Sequence, residues 1–126
     1  MKLILAIGLG SFFGGVSRYL VSEFVKTFTS QNLPHATFVV NLVGCFLIGI
    51  CFSLLEKNFL DKTWFAVVAI GFLGSFTTFS AFSLDAFKLL KEQNYMALVL
   101  YIFSSVILGL LATILGYWMV KNGSLL

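Results

Sequence analysis

Asn41, Phe79 and Phe82 are the residues of this sequence best suited to hold a small ion. Asn41 lies in Val39-Val40-Asn41-Leu42-Val43-Gly44, among apolar neighbours. An amide there must find partners without water, and its two N–H donors suit an anion. The same amide also serves as structural glue between helices. Phe79 and Phe82 stand at i, i+3 and share one helical face. A phenyl ring is negative on its face and positive at its edge, so two rings turned edge-on coordinate an anion weakly. Weak binding suits conduction, because an ion has to leave as well as enter. With fifteen phenylalanines in the chain, lipid contact and core packing are the plain alternatives for both rings.

These rings follow the most specific stretch of the chain, Gly71-Phe72-Leu73-Gly74-Ser75-Phe76-Thr77-Thr78-Phe79-Ser80-Ala81-Phe82-Ser83. Gly71 and Gly74 weaken a helix, and Ser75, Thr77 and Thr78 can satisfy freed backbone groups or cap a restarted one. A break here creates one half-helix ending in open carbonyls, which suit a cation, and a second beginning with open N–H groups. Backbone that leaves the helix at membrane depth must line a cavity or be buried in protein.

Two further helices carry polar stripes. Thr37, Asn41 and Cys45 recur every four residues on the second. Tyr101, Ser105, Gly109 and Gly116, with Thr113 between, lie near one face of the fourth. They read as a hydroxyl track for a partly dehydrated ion or as a small-residue packing seam, and the residues alone favour packing. Arg18 falls late in the first helix, where it snorkels to the interface or raises the anion concentration at a pore mouth. Glu23 is near enough in sequence to pair with it. No Asp, Glu, Lys or His occupies the middle of a span, which argues against a proton-coupled transporter. Cys45 and Cys51 read as small packing residues rather than a disulfide or metal pair. Nothing resembles a catalytic triad, a metal cluster or a nucleotide loop, so an enzyme is not expected.

The elements that must position these residues are four apolar blocks, at about 3–24, 37–55, 63–90 and 96–120. Each is near the roughly 20 residues that a membrane-spanning helix requires. The chain has 126 residues, of which 60% are hydrophobic and 10% charged. A soluble domain this small could not hide so much apolar surface. The connections are too short for domains, so residues 1–126 read as one all-α transmembrane domain. The net charge of +3 is spread out and forms no nucleic-acid patch. The first block opens like a signal peptide but runs on past any early cleavage site, so a retained helix is expected. Lys2, Lys57, Lys62 and Lys121 fall on one side of the membrane, and Lys26, Lys88 and Lys91 on the other. That is scarcely an excess under the positive-inside rule. Either subtler cues orient the chain, or it inserts both ways and pairs antiparallel. A unit this small leaves little room for a pore, which points to self-association as a two-fold dimer. Gly10 and Gly14 form a GxxxG pair that serves dimerisation or intrachain packing equally.

Over nearly its full length the chain resembles the Fluc (CrcB) fluoride channel family. The resemblance rests on three motifs in order: Gly14-Gly15-Val16-Ser17-Arg18-Tyr19, Thr37-Phe38-Val39-Val40-Asn41-Leu42-Val43-Gly44, and the stretch from Gly71 to Ser83. It implies a dual-topology antiparallel homodimer with two pores, conducting fluoride passively and selectively out of a bacterial cell across the inner membrane. By the same resemblance, Asn41, Phe79, Phe82, Tyr101, Ser105 and Thr37 line the fluoride path. Backbone carbonyls of Gly74 and Thr77 from both subunits hold a central sodium ion, and Arg18 sits near an aqueous vestibule. Gly109 stands where the resemblance leads one to expect a hydroxyl in the track, and Ala81 where it leads one to expect threonine. The competing readings are a four-helix multidrug efflux transporter, which needs a carboxylate within its first helix, and a non-conducting assembly subunit.

Overall fold

The computed structural model describes residues 1–29 and 33–123; residues 30–32 of the first connection lie outside it, as do 124–126. Among the described residues every regular element is helical and none is a strand. Helix α1 spans Lys2–Phe28 and α2 spans His35–Glu56. The third crossing begins as a short turn, α3 (Lys62–Phe65), and widens into a π-helical segment, Ala66–Leu73. It tightens again as α4 (Gly74–Phe76) and resumes as α5 (Phe79–Lys91). Helix α6 spans Tyr95–Lys121. Four stretches are long and apolar enough to cross a membrane, with 62–91 counted as one, so this is a multi-pass membrane protein. Each helix runs beyond its apolar block and takes in end residues such as Lys26, Glu56, Lys91 and Lys121, whose long side chains suit an interface while the backbone stays helical.

The ends are capped by the residues that the sequence supplies. Asp61 accepts hydrogen bonds from the N–H groups of Thr63 and Trp64, both at 2.8 Å. Asn94 accepts from Ala97 N–H at 3.2 Å. Lys57, just past α2, donates to the Val120 carbonyl at 2.6 Å, a cation on the carbonyl end of α6.

Packing falls into two pairs. One is α1 against the π segment and α4; the other is α2 against α6, with α5 crossing to α6. The first pair explains the GxxxG motif. A Cβ at Gly10 would lie 2.8 Å from the Val67 carbonyl oxygen, and one at Gly14 would strike the Phe72 carbonyl. Both glycines are therefore occupied within the chain, by the backbone of the π segment. At the second site, a Cβ on Gly44 would strike the Thr77 methyl, so α2 presses on the third crossing just where α4 ends.

A candidate anion pathway at the third crossing

Between α4 and α5 two residues leave the helix. Thr77 has φ −77° and ψ 160°, and Thr78 has φ −152° and ψ 114°. Both conformations are extended, so the backbone groups around them need other partners. Asn41 supplies two of these. Its Nδ2 donates to the Thr78 carbonyl at 3.1 Å, and its Oδ1 accepts the Thr78 N–H at 2.8 Å. The Thr78 hydroxyl then accepts the Ala81 N–H at 3.1 Å and starts α5 as its N-cap. The Thr77 hydroxyl donates back to the Leu73 carbonyl at 2.9 Å.

These bonds have a consequence for the carbonyls. Thr78 N–H, which would reach back to Gly74 in an unbroken helix, goes to Asn41. Ala81 N–H, which would reach Thr77, goes to the Thr78 hydroxyl. The carbonyls of Gly74 and Thr77 thus both lose the N–H partner that an unbroken helix would give them. Gly74 is also solvent-exposed in the single chain. The donor set left there is the carbonyl oxygens of Gly74 and Thr77, of a kind that suits a hard cation with oxygen ligands.

Two cavities meet at the gap. One, of about 380 Å³, is lined by Asn41, Cys45, Thr77, Phe79, Phe82 and Ser105 among others. The second, of about 530 Å³, is lined by Arg18, Lys26, Thr37, Ser80 and Glu23 among others. Thr78 belongs to the wall of both. The first is mostly apolar with a few polar groups; the second carries two cations. Glu23 pairs with Lys26 at 2.8 Å rather than with Arg18, the partner the sequence suggested, because i, i+3 on one helix brings them together. The Arg18 guanidinium makes no hydrogen bond or ion pair among the described residues, and it lines the larger cavity.

The aromatic residues form a relay. The Phe79 and Phe82 centroids are 5.5 Å apart with planes at 36°, and Phe82 and Tyr101 are 5.1 Å apart at 40°. Phe79 is 79% exposed in the single chain, whereas Tyr101 is only 7% exposed. The Tyr101 and Ser105 hydroxyls are buried without a hydrogen-bond partner. The Thr37 hydroxyl, near Tyr101, donates its proton to Asp85 at 2.6 Å. The structure thus gathers Asn41, Phe79, Phe82 and Ser105 around one cavity, together with Gly74 and Thr77. Thr37 and Arg18 line the neighbouring one. Tyr101 joins through its ring, and its own cavity lies toward Pro34 and His35.

Sequence reasoning gave Asp85 no role. It accepts from Thr37 and stands 3.5 Å from Lys88. Its spacing was the available signal, since Asp85 is i+3 from Phe82 and so shares that face of α5.

Fold and site define a small polytopic membrane protein with an interrupted crossing flanked by aromatic and hydroxyl groups. The chain matches the family described as "CrcB-like protein, Camphor Resistance (CrcB)" over residues 5–117. It is 44% identical over 118 residues to a fluoride-specific ion channel FluC of Azobacteroides pseudotrichonymphae, covering 93% of this chain and 94% of that protein. Fluoride-specific ion channels FluC of Flavobacterium psychrophilum and Phocaeicola vulgatus are 41% and 40% identical. The first match covers 97% of this chain and 99% of the relative, the second 94% and 98%. The chain belongs to the CrcB family.

Proposed function

We propose that this protein is a fluoride-selective channel that lets fluoride leave a bacterial cell across the inner membrane by passive electrodiffusion. It works as an antiparallel homodimer built on a broken third helix. The carrying observation is the pair of carbonyls at Gly74 and Thr77, stripped of their helical N–H partners, beside an exposed Phe79. Lipid cannot satisfy those carbonyls, and each unsatisfied group costs several kcal/mol in hydrocarbon. A second copy laid over this face covers Phe79 and brings a matching set of carbonyls to the same point. The Gly74 and Thr77 carbonyls of both copies would hold a sodium ion, which would supply fixed positive charge.

Fluoride is small and strongly hydrated, so a path must replace its water step by step. The cationic basin at Arg18 raises local anion concentration. Asn41, with one amide hydrogen committed to Thr78, offers its second to an anion. The edges of Phe79 and Phe82 and the unpartnered hydroxyls of Ser105 and Tyr101 provide the next weak contacts. No step needs a covalent change, so the protein acts as a conduit and not an enzyme. The names carried by the relatives support this reading.

The test is fluoride efflux from liposomes holding the purified protein, driven by a potassium ionophore and read with a fluoride electrode. Flux that excludes chloride is expected. Proton-coupled uptake of an organic cation would move the reading to a transporter, and silence to an assembly subunit. For the antiparallel arrangement, several lysines added to the connection 57–61 are expected to force one orientation and lower flux. Full flux from that protein would remove antiparallel pairing.

A further inference from the structure

The row of residues that α6 turns toward α2 runs Tyr101, Ser105, Gly109, Thr113 at four-residue spacing. The first two hydroxyls are buried and unpartnered. Gly109 brings none. Thr113 divides its one proton between the carbonyls of Cys45 at 3.0 Å and Gly109 at 3.1 Å, so it has none to offer. Available donors on α6 therefore stop at Ser105.

Cys45 stands opposite the gap. A Cβ built on Gly109 would meet Cys45 Sγ at 3.4 Å, ordinary contact, so the thiol reaches to the place the missing side chain would start. Cys45 and Ser105 share the wall of the 380 Å³ cavity, and so does Asn41, one turn earlier on α2. The Cys45 thiol makes no hydrogen bond among the described residues. Three observations thus converge on one atom: an absent side chain, a common cavity wall and an S–H without a partner.

We propose that Cys45 is part of the anion path, its S–H supplying from α2 the donor that Gly109 leaves out of α6. The inference rests on the channel reading and extends it. A thiol is a weak donor, which suits a contact an ion must make and break in transit. The opposing account is that the sulfur only fills the space Gly109 vacates.

Proteoliposome fluoride flux separates the two. Cys45→Ala is expected to lower flux about 3- to 10-fold, the equivalent of one ordinary hydrogen bond. Cys45→Ser, which keeps a donor, holds flux near the parent. In the Cys45→Ala background, Gly109→Ser is expected to restore flux and Gly109→Ala is not, although both refill volume. Every variant is checked for the parent's elution volume on size exclusion. Parent-like flux in Cys45→Ala overturns the proposal, as does equal rescue by Gly109→Ala and Gly109→Ser. A parent protein that carries no fluoride removes the channel reading and this inference with it; a conducting parent with indifferent variants removes the inference alone.

Discussion

The α2–α6 seam around Thr113 and the gap at Thr77 and Thr78 are built from the same residue types, glycine and threonine, and end in opposite states. In the seam, Gly49 and Gly116 let each helix press on the other's backbone, against the carbonyls of Thr113 and Phe46. The Thr113 hydroxyl is saturated by two carbonyls. At the gap, Gly44 lets the Thr77 methyl approach α2, and threonine hydroxyls close two bonds, yet the carbonyls of Gly74 and Thr77 lose their helical N–H partners. Composition alone does not separate a packing seam from an open gap. What separates them is whether the chain itself supplies a partner for every polar group at membrane depth.

The largest effect is expected where α1 braces the segment that leads into the gap. Gly14→Leu drives a side chain into the Phe72 carbonyl, where the neighbour is backbone and cannot swing away. The cost should exceed the roughly 1–3 kcal/mol of ordinary overpacking. Little assembled protein is expected on size exclusion, and a monodisperse, parent-stable Gly14→Leu would show that α1 does not brace the π segment. Next in size is Asn41→Ala, which orphans both the N–H and the carbonyl of Thr78. The loss is about 1–3 kcal/mol for each group, read as a lower midpoint of thermal unfolding in detergent, and flux falls with it. Unchanged stability would mean that Asn41 does not hold the gap.

A smaller effect sharpens the gap's own role. Phe79→Ile and Phe82→Ile remove the polarised ring edge while keeping an apolar side chain, and each should cut fluoride flux about tenfold, or roughly 1.4 kcal/mol. Phe82→Ile also loses its contact with the Tyr101 ring and should lower stability by about 0.5–1.5 kcal/mol. Phe79→Ile loses only its ring contact with Phe82, at a position 79% exposed in the single chain, so the stability of the single chain should fall less. Parent-like flux in both variants would take the rings out of the pathway and leave them as lipid or interface contacts.

Much of this was legible in the residues because membrane helices announce themselves by length and hydropathy. Four blocks gave the four crossings, and the run from Gly71 to Ser83 marked where the backbone leaves the helix. Asn41 was legible as a polar residue needing a partner, but not as the partner of Thr78, because that pairing joins residues 37 apart in sequence. The π segment Ala66–Leu73 left no trace in the residues. Its sequence is as apolar as any α-helix, and its widening accompanies close packing against Gly10 and Gly14, which is a tertiary fact. The GxxxG motif was ambiguous for the same reason: glycine permits close approach without naming the neighbour. The Glu23 pairing went to the residue three along, where local geometry outweighs the pull of Arg18 across the cavity.

The smallest expected effect bears most directly on the contrast between seam and gap. Thr113 occupies the same row of α6 as Ser105, two turns on, and by residue type alone would extend the hydroxyl track. Its proton is committed to Cys45 and Gly109 carbonyls, which ties α2 to α6. Thr113→Val keeps the shape and removes the hydroxyl. Interhelical hydrogen bonds in membranes average only about 0.6 kcal/mol, so stability should fall by about that amount and fluoride flux should stay with the parent. Ser105→Ala, whose hydroxyl has no partner in the chain to lose, should do the reverse: hold stability and lower flux. Equal loss of flux in the two variants would mean that the ion passes Thr113 as well, and that hydrogen-bond saturation within one chain does not mark where the path ends.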